Sequence, residues 1–531
     1  LAHAGLPFNW FDTLDAALRS PQLEPSLDIL IVALARDDAD TARSVLRFAE
    51  DGGVVVLLAN IDSLAPMVGC RAAMPVSVGY AEMVNGERLR FLSAVPWAAV
   101  EGLASTEGIL RAGAPDGPAV GAVIVRVPVG VGVIQRWAVD VATTVTLLQQ
   151  GLGPVTQDGL PAPDGSAPLD EGILKADDGF SLDWVHDRVV TDTGQPYFAH
   201  PYADLWREVF IHHLIRLALS RNQVLPVIDY WPAGVSCVAT VSHDSDLNTD
   251  DSAETTLDIL RTAGIQSTWC IIEPGYTPSI YARILSPGHE LAFHYNAVVH
   301  EGKRWDQTDF HRQLAWFKRA TGIERVVSNK NHYTRFEGWG ELFRWLETEG
   351  VHLDQTRGPS KRGNVGLLFG TCHPYFPIAW HDEANRLYDV IELGFLTQDM
   401  ELGNWADKSV IGPFLDQTQR MRGVAHFLFH PVHLHAKPPV RMAFDQVVDE
   451  ARRRGFVFWT AQQINAWTRA RRKLRVETID QAGRAVVSGA ERETADRAVV
   501  WVPVGNGHFP DAGAERRFGV WCRRMDTVIA P

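Results

Sequence analysis

A histidine and two carboxylates follow directly on an apolar run in the stretch CVATVSHDSDLNTDD, residues 237–251. His243, Asp244 and Asp246 stand where the apolar residues stop. Ser, Asp and Asn often follow a strand because they form turns and cap the next helix, and the stretch taken alone favours this interpretation. The alternative is chemical, because carboxylates gathered at the end of a buried strand are placed for metal binding or acid–base catalysis.

Histidines are concentrated in the same part of the chain. Thirteen of the nineteen lie between His243 and His435, which is little more than a third of the sequence. Short apolar runs alternate there with helix-like segments, in the order CVATVSH, TTLDILRTAG, IQSTWCIIE, SIYARILSPG and HELAFHYN. This alternation predicts a parallel barrel or an open parallel sheet, in which catalytic groups collect at the carboxyl ends of the strands.

The first two hundred residues indicate a separate α/β unit. LDILIVAL (27–34) and VVVLLANI (54–61) are apolar runs separated by a helix-like segment that ends in glycines, a pattern typical of a parallel crossover. This part weakly resembles the class I glutamine-amidotransferase-like or flavodoxin-like domains. Cys70, in MVGCRAAMP, lacks the glycine that follows the nucleophile of such enzymes and has no matching His-x-Glu downstream, so we predict a non-catalytic domain.

Changes in composition divide the chain into four predicted parts. Residues 1–195 form the α/β domain, 196–235 a helical connector, 236–470 the barrel and 471–531 a small β-rich C-terminal domain. The Gly-, Pro- and Asp-rich stretch 152–200 is typical of a surface connection. The predicted fold class is therefore α/β, with a flavodoxin- or amidotransferase-like parallel-sheet domain, a distorted (β/α) barrel and a β appendage.

Bulk composition excludes several classes of partner. The net charge is −14 and no Lys/Arg-rich stripe is long enough to follow a phosphate backbone, so we predict no nucleic-acid partner. No apolar stretch reaches the ~18 residues of a membrane span. Five scattered cysteines without CxxC spacing favour a reducing compartment, and the N-terminal LAHAGLPFNW lacks the pattern of a signal peptide. We therefore expect a cytoplasmic protein, with export as the alternative.

Five motifs between residues 236 and 470 resemble, in order and spacing, those of the polysaccharide deacetylase (NodB-homology, carbohydrate esterase) family. GHELAFHYN (288–296) resembles the second motif, and VATVSHDSD stands upstream as a His-Asp-x-Asp variant of the first. SNKNHYTRFEGWGELFRWLETEGVHLDQT (328–356) resembles the third motif, and GLLFGTCHPYFPI (366–378) resembles the segment after it. FLFHPVHLH (427–435) resembles the last motif. The resemblance implies a distorted barrel of the NodB-homology type.

The resemblance also implies roles for individual residues. Asp244 is then the base, Asp246 and His294 are metal ligands, and His430 is the acid, although the spacing of one residue lets the two aspartates exchange roles. These residue types suit the hydrolysis of an acetamide, which needs a polarised carbonyl, an activated water and a proton for the leaving amine. A Zn²⁺ or similar ion held by one carboxylate and two imidazoles leaves positions open for water and substrate.

The third metal ligand is open. In the best-known members of the family a second histidine follows the first by four residues, but this sequence has Val298 there. His300 is our candidate, and His332 or a water molecule are the alternatives.

The third motif departs from the family pattern as well. It normally presents an arginine and prolines, whereas this chain has the run Asn329–His332. Arg335 or Lys330 is expected to replace the lost positive charge. We predict that His332, Tyr333 and Arg335 contact the substrate.

These residues together predict a metal-dependent hydrolase that removes an N-acyl group, with N-acetyl as the expected one, from a carbohydrate or glycan. Zinc is the expected cofactor. A first alternative is hydrolysis of a glycosidic bond or of another C–N bond. A second alternative is a degenerate family member that binds glycans or acts as a scaffold, which the altered second and third motifs favour.

Overall fold

The computed structural model describes residues 1–25, 28–33, 35–100, 102–169, 172–403, 405–504 and 513–530. The chain forms two compact units. The first comprises residues 1–148, 205–227 and 500–525, and the second comprises residues 149–204, 228–499 and 526–531. Leu27 and Leu34, the ends of the first predicted apolar run, lie outside the described residues. No helix in these described ranges is both long and apolar enough to cross a membrane.

The strands before residue 230 are short. In chain order they are β1 (Ile29–Val32), β2 (Val54–Leu58), β3 (Cys70–Ala72), β4 (Gly79–Glu82), β5 (Arg88–Phe91), β6 (Trp97–Ala99), β7 (Ser105–Glu107), β8 (Ile109–Ala112), β9 (Ala119–Gly121), β10 (Ile124–Val129), β11 (Gly132–Trp137), β12 (Arg188–Val190), β13 (Pro196–Phe198) and β14 (Val227–Ile228). The helices of this part are α1 (Leu14–Leu18), α2 (Ala39–Glu50), α3 (Val141–Gln150) and α4 (Tyr202–Ser220).

A mixed sheet forms the core of the first unit. β1, β2 and β11 lie side by side in parallel. β10 then pairs in antiparallel orientation with β11, and β7 pairs in antiparallel orientation with β10. Every residue of β2 is buried, as its unbroken apolar run VVVLL requires, and Val55 shares a core with Phe48 of α2. Asp38 caps α2 by accepting the backbone N–H of Thr41. The predicted strand–helix–strand crossover is therefore present, within a sheet that is only partly parallel.

Cys70 begins β3 and is buried. Burial raises the pKa of its thiol. The thiolate that a nucleophilic cysteine needs is disfavoured there.

Between residues 230 and 475, strands alternate with helices. The strands are β15 (Val238–Asp244), β16 (Thr268–Ile271), β17 (Glu290–Tyr295), β18 (Ser328–Asn331), β19 (Leu353–Asp354), β20 (Ile391–Glu392), β21 (Thr397–Gln398), β22 (Val424–Leu428) and β23 (Val457–Phe458). The helices are α5 (Asp250–Ala263), α6 (Pro278–Leu285), α7 (Gln307–Thr321), α8 (Glu341–Glu349), α9 (Ile411–Met421), α10 (Pro431–Ala436), α11 (Pro438–Arg453) and α12 (Ala461–Lys473).

These strands pair in parallel and close into a barrel. Their order is β20, β19, β18, β17, β16, β15, β22, β21, with β23 beside β15. β20 and β21 belong to one continuous segment, 391–398, whose first half pairs with β19 and whose second half pairs with β22. Between the halves lies Gly394, where a Cβ atom would sit 2.9 Å from the carbonyl oxygen of Arg357. The predicted α/β fold class, with a sheet domain followed by a distorted barrel, is confirmed.

The C-terminal residues are mostly β-structure. The strands are β24 (Arg475–Ile479), β25 (Ala485–Ser488), β26 (Val499–Pro503), β27 (Ala514–Arg517) and β28 (Val520–Ile529), and the helix is α13 (Arg492–Arg497). In the second unit, β25 pairs with β24 and with the last residues of β28. In the first unit, β27 pairs in antiparallel orientation with the first part of β28.

Candidate active site

The parallel strands of the barrel end at one rim, and the histidines and carboxylates of the motifs lie there. β15 ends at Asp244, and His294 is the last residue but one of β17. His332 directly follows β18, and His430 follows β22 by two residues. The topology therefore brings together residues that are far apart in the sequence.

The turn after β15 carries the two aspartates. Ser245, between them, donates its backbone N–H to the Cys270 carbonyl oxygen at 3.0 Å. Its hydroxyl accepts the backbone N–H of Ile272, the residue that follows β16. Thr249 caps α5, as the turn interpretation of this stretch requires. The same residues thus form a turn and hold the carboxylates of Asp244 and Asp246 at the rim.

Asp246 is the centre of the site. The Nε2 atom of His294 lies 3.2 Å from one of its carboxylate oxygens, while the Nε2 atoms of His332 and His430 lie 3.2 Å and 3.4 Å from the other. Burial alone would raise the pKa of the Asp246 carboxyl, but the charge of His332 and the close approach of the three imidazoles hold it well below its usual value. Asp246 is therefore an anion to which three imidazoles are directed.

The donor set fits a divalent cation. His294 places Nδ1 2.9 Å from the Lys330 carbonyl oxygen, so Nδ1–H donates there and the Nε2 lone pair faces Asp246. Among the described residues, neither this Nε2 nor the nearest Asp246 oxygen makes a hydrogen bond of acceptable geometry, and both atoms are buried. Two lone pairs 3.2 Å apart repel unless a proton or cation lies between them. Asp246, His294 and His332 are the residues that could hold such a cation.

His300 is not brought to this group. It lies in the one-turn 3₁₀ helix Val299–Glu301, its side chain is 64% exposed, and its nearest carboxylate is that of Glu301, at 4.0 Å. The loop is held by the Asn296 side chain, which donates to the Glu301 carboxylate at 2.7 Å. His332, which we predicted to contact substrate and named as an alternative third ligand, lies with its Nε2 atom 3.2 Å from Asp246.

Lys330 supplies the positive charge beside Asp244. Its ammonium nitrogen lies 3.3 Å from an Asp244 oxygen and 4.7 Å from the centre of the Phe395 ring, and its side chain is 1% exposed. Arg335, the other candidate, is buried and pairs with Glu337. A lysine at this depth needs a partner of opposite charge, and the Asp244 carboxylate lies in position to be that partner.

A buried carboxylate supports His430. Asp399 accepts the backbone N–H of His430 at 2.9 Å and also bonds its Nδ1, and His433 Nδ1 lies 3.0 Å from Asp399. Burial alone would lower the pKa of His430, but the charge of Asp399 and bonds to Asp246 and Asp399 raise it well above its usual value. Burial opposes the ionisation of Asp399, yet the two histidines lower its pKa to about 2. His430 is therefore held protonated, with Nε2 toward the site.

Asp399 was not predicted from the sequence. Its signal is the run GFLTQD (394–399), which, like the run before Asp244, is apolar and ends in a carboxylate. Without the closure of the barrel through segment 391–398, nothing associates this carboxylate with His430.

The site opens into a cleft of about 980 Å³. Five of the predicted site residues line it: Asp244, Asp246, His332, Tyr333 and His430. Residues 164–166, Pro168 and Lys175, from the stretch predicted to be a surface connection, line it as well. That stretch belongs to the same compact unit as the barrel. The backbones of Lys175 and Arg335 pair in an isolated antiparallel β-bridge. The stretch is a wall of the cleft.

Tyr333 presents its ring to this cleft from a strained position. Its φ is 56° and that of Thr334 is 52°, in the left-handed region that β-branched and bulky residues rarely adopt. The residue is 48% exposed, its ring packs at a tilt against His332 with 4.5 Å between ring centres, and the Lys175 ammonium lies 5.5 Å from the centre of the Tyr333 ring. Trp405 lines the same cleft. Exposed aromatic rings of this kind suit the apolar face of a sugar.

Comparison with known sequences finds no relative: no protein-family model matches the chain, and no curated protein matches it. Solved structures do resemble part of it. One from Mycobacterium smegmatis, assigned to the polysaccharide deacetylases, is 17% identical, with 46% of this chain and 93% of that chain covered and a TM-score of 0.34. A peptidoglycan N-acetylglucosamine deacetylase is 13% identical, with 44% and 90% covered and a TM-score of 0.28.

A pseudoenzyme of the CE4 family from Bacillus anthracis is also similar, at 11% identity, with 43% of this chain and 65% of that chain covered and a TM-score of 0.26. Catalytic and non-catalytic proteins thus appear among the similar structures. At such identities and TM-scores the similarity says nothing of activity.

Proposed function

We propose that this protein is a metal-dependent hydrolase that removes an N-acyl group, with N-acetyl as the expected one, from a carbohydrate. The main support is the arrangement around Asp246, whose two carboxylate oxygens each lie 3.2 Å from the Nε2 atom of a histidine, His294 or His332. An acid and a base accompany this donor set. His430 Nε2 lies 3.4 Å from Asp246, and Asp244 lies 3.8 Å from His294.

Each residue then has one task. A cation bound by Asp246, His294 and His332 would polarise the acyl oxygen and acidify a water molecule. Asp244, an anion beside Lys330, accepts a proton from the attacking water. His430 carries a proton on Nε2, which it donates to the departing amine nitrogen.

The carbohydrate is proposed on chemical grounds. An amide nitrogen is a poor leaving group, so its hydrolysis needs a proton donor at that nitrogen, and the imidazolium of His430, which Asp399 keeps protonated, can supply the proton. The ring of Tyr333 and the indole of Trp405 both line the cleft, where they can stack on pyranose faces.

A direct test measures metal content and acetate release on the purified full-length chain. We expect close to one equivalent of a divalent metal and acetate release from N-acetylglucosamine oligomers. Chelation should abolish this activity and added Zn²⁺ should restore it. Activity that persists in excess chelator would exclude the proposal, and a metal-loaded protein that binds these oligomers without releasing acetate would favour the glycan-binding alternative.

His332→Ala should lower the affinity for the metal by more than about 100-fold, because loss of a ligand exceeds the loss of an outer partner, which costs about 10- to 100-fold. His300→Ala is the matched control and should leave the affinity unchanged, since its side chain is exposed and distant from Asp246. Titration with Zn²⁺ against a competing chelator measures both. The reverse result would restore His300 as the ligand.

A further inference from the structure

A buried hydroxyl lies behind the proposed catalytic base. Ser242, two residues before Asp244 in β15, is fully buried, and its Oγ lies 2.8 Å from the Lys330 ammonium and 2.8 Å from His426 Nε2. His426 lies in β22, the strand that pairs with β15. None of the roles proposed above involves Ser242 or His426, although both are buried polar residues next to the site.

In this series of hydrogen bonds, the donor and the acceptor of each bond can be assigned consistently. His426 Nδ1 lies 3.3 Å from the Leu393 carbonyl oxygen, which only accepts, so Nδ1 carries the proton and Nε2 has the lone pair. Burial and the Lys330 charge hold the pKa of His426 well below its usual value, which agrees with a neutral ring. The Ser242 O–H therefore donates to His426, and the free lone pairs of Ser242 accept from the Lys330 ammonium.

Lys330 is connected to both halves of the site. Its ammonium lies 3.3 Å from Asp244, and its backbone carbonyl accepts from Nδ1 of His294. A lysine ammonium is a point charge on a flexible stem, so its position depends on the groups that bind it.

We propose that Ser242 and His426 are positioning residues that hold the Lys330 ammonium on Asp244, an inference that rests on the proposed function for its catalytic consequence. The oriented chain runs from Lys330 through Ser242 and His426 to the backbone of segment 391–398. It anchors the charge to the segment that closes the barrel. Neither residue touches substrate or metal, and the effect of each passes through Lys330.

The test compares Ser242→Ala with Thr240→Val in the full-length protein. Thr240 lies on the same face of β15 and is equally buried, and among the described residues its hydroxyl has no hydrogen-bond partner. We expect Ser242→Ala to lower kcat by about 10- to 100-fold, with KM and metal content unchanged. Thr240→Val should leave all three values unchanged. Equal activities of the two variants would overturn the proposal.

A second measurement separates this proposal from the proposed function, because it needs no turnover. The chain has eight lysines, so lysine-selective ¹⁵N labelling gives few ammonium signals, and Lys330→Arg identifies the one of interest. We expect this signal to shift or broaden in Ser242→Ala and in His426→Gln but not in Thr240→Val. An unmoved signal would overturn the positioning role even in an active enzyme. A wild-type protein without hydrolase activity would reject the function alone.

A double-mutant cycle tests the path of the effect. In a Lys330→Met background, Ser242→Ala should cause no further loss of kcat, since the group that Ser242 positions is gone. A further loss equal to that in the wild-type background would show that Ser242 acts independently of Lys330 and would overturn the proposal.

Discussion

Asp244→Asn is expected to lower kcat for an N-acetylated substrate by about 10²- to 10⁴-fold, the usual contribution of a general base, while bound metal stays at its wild-type level. The amide is nearly the same size as the carboxylate but cannot accept the water's proton. It also leaves the buried Lys330 ammonium, now 3.3 Å from Asp244, without a counter-charge. The variant therefore loses both the base and the ion pair, and the loss should fall at the upper end of this range.

Asp246→Asn provides the contrast that assigns the two aspartates. It removes the anion to which His294 and His332 are directed, so metal content and activity should fall together. Asp251→Asn, an exposed acid in the first turn of α5, controls for the loss of one negative charge and should keep both. Elemental analysis and steady-state kinetics decide the matter. If Asp244→Asn lost its metal and Asp246→Asn kept it, the roles would be exchanged.

The sequence predicts those parts of this site that depend on local pattern. Asp244 and His294 each lie at the end of a buried strand, and the ends of parallel strands share a rim whatever the lengths of the helices between them. His430 follows the same logic after β22. Alternating apolar runs and helices likewise predicted a parallel barrel or an open parallel sheet, because their periods differ strongly, and the resemblance of the five motifs favoured the barrel.

Other features depend on contacts that no local pattern carries. His300 and His332 both follow barrel strands, but the loop that carries His300, held in part by the hydrogen bond from Asn296 to Glu301, leaves the His300 side chain 64% exposed. Asp399 meets His430 because segment 391–398 changes partners midway along its length. The stretch around Lys175 has the Gly- and Pro-rich composition of a linker but lies in the second compact unit and lines the cleft. Composition describes how such a stretch is built, not what it packs against.

Asp399→Asn is expected to reduce the fraction of His430 that carries a proton and can act as the acid. The raised pKa of His430 keeps the imidazolium populated at low and neutral pH. This protonated form is lost as the pH rises through the pKa of His430. Asp399 is the main charge that raises it. The amide variant should therefore lose activity at a lower pH than the wild type does, so the basic limb of the kcat profile moves toward acid. At neutral pH we expect a loss of about 10- to 100-fold.

The choice of substrate makes this prediction specific to proton donation. An activated aryl acetate expels a stable phenolate and needs no proton, so Asp399→Asn and His430→Ala should affect its hydrolysis far less than that of an N-acetyl sugar. His433→Ala is the matched control, since His433 Nδ1 lies 3.0 Å from the same Asp399 carboxylate, whereas His430 is the one of the two histidines that lies beside Asp246, at 3.4 Å. It should keep the ratio of amide to ester rates near the wild-type value. Equal losses on both substrates in His430→Ala would instead assign His430 to the attack of water, a step that both reactions share.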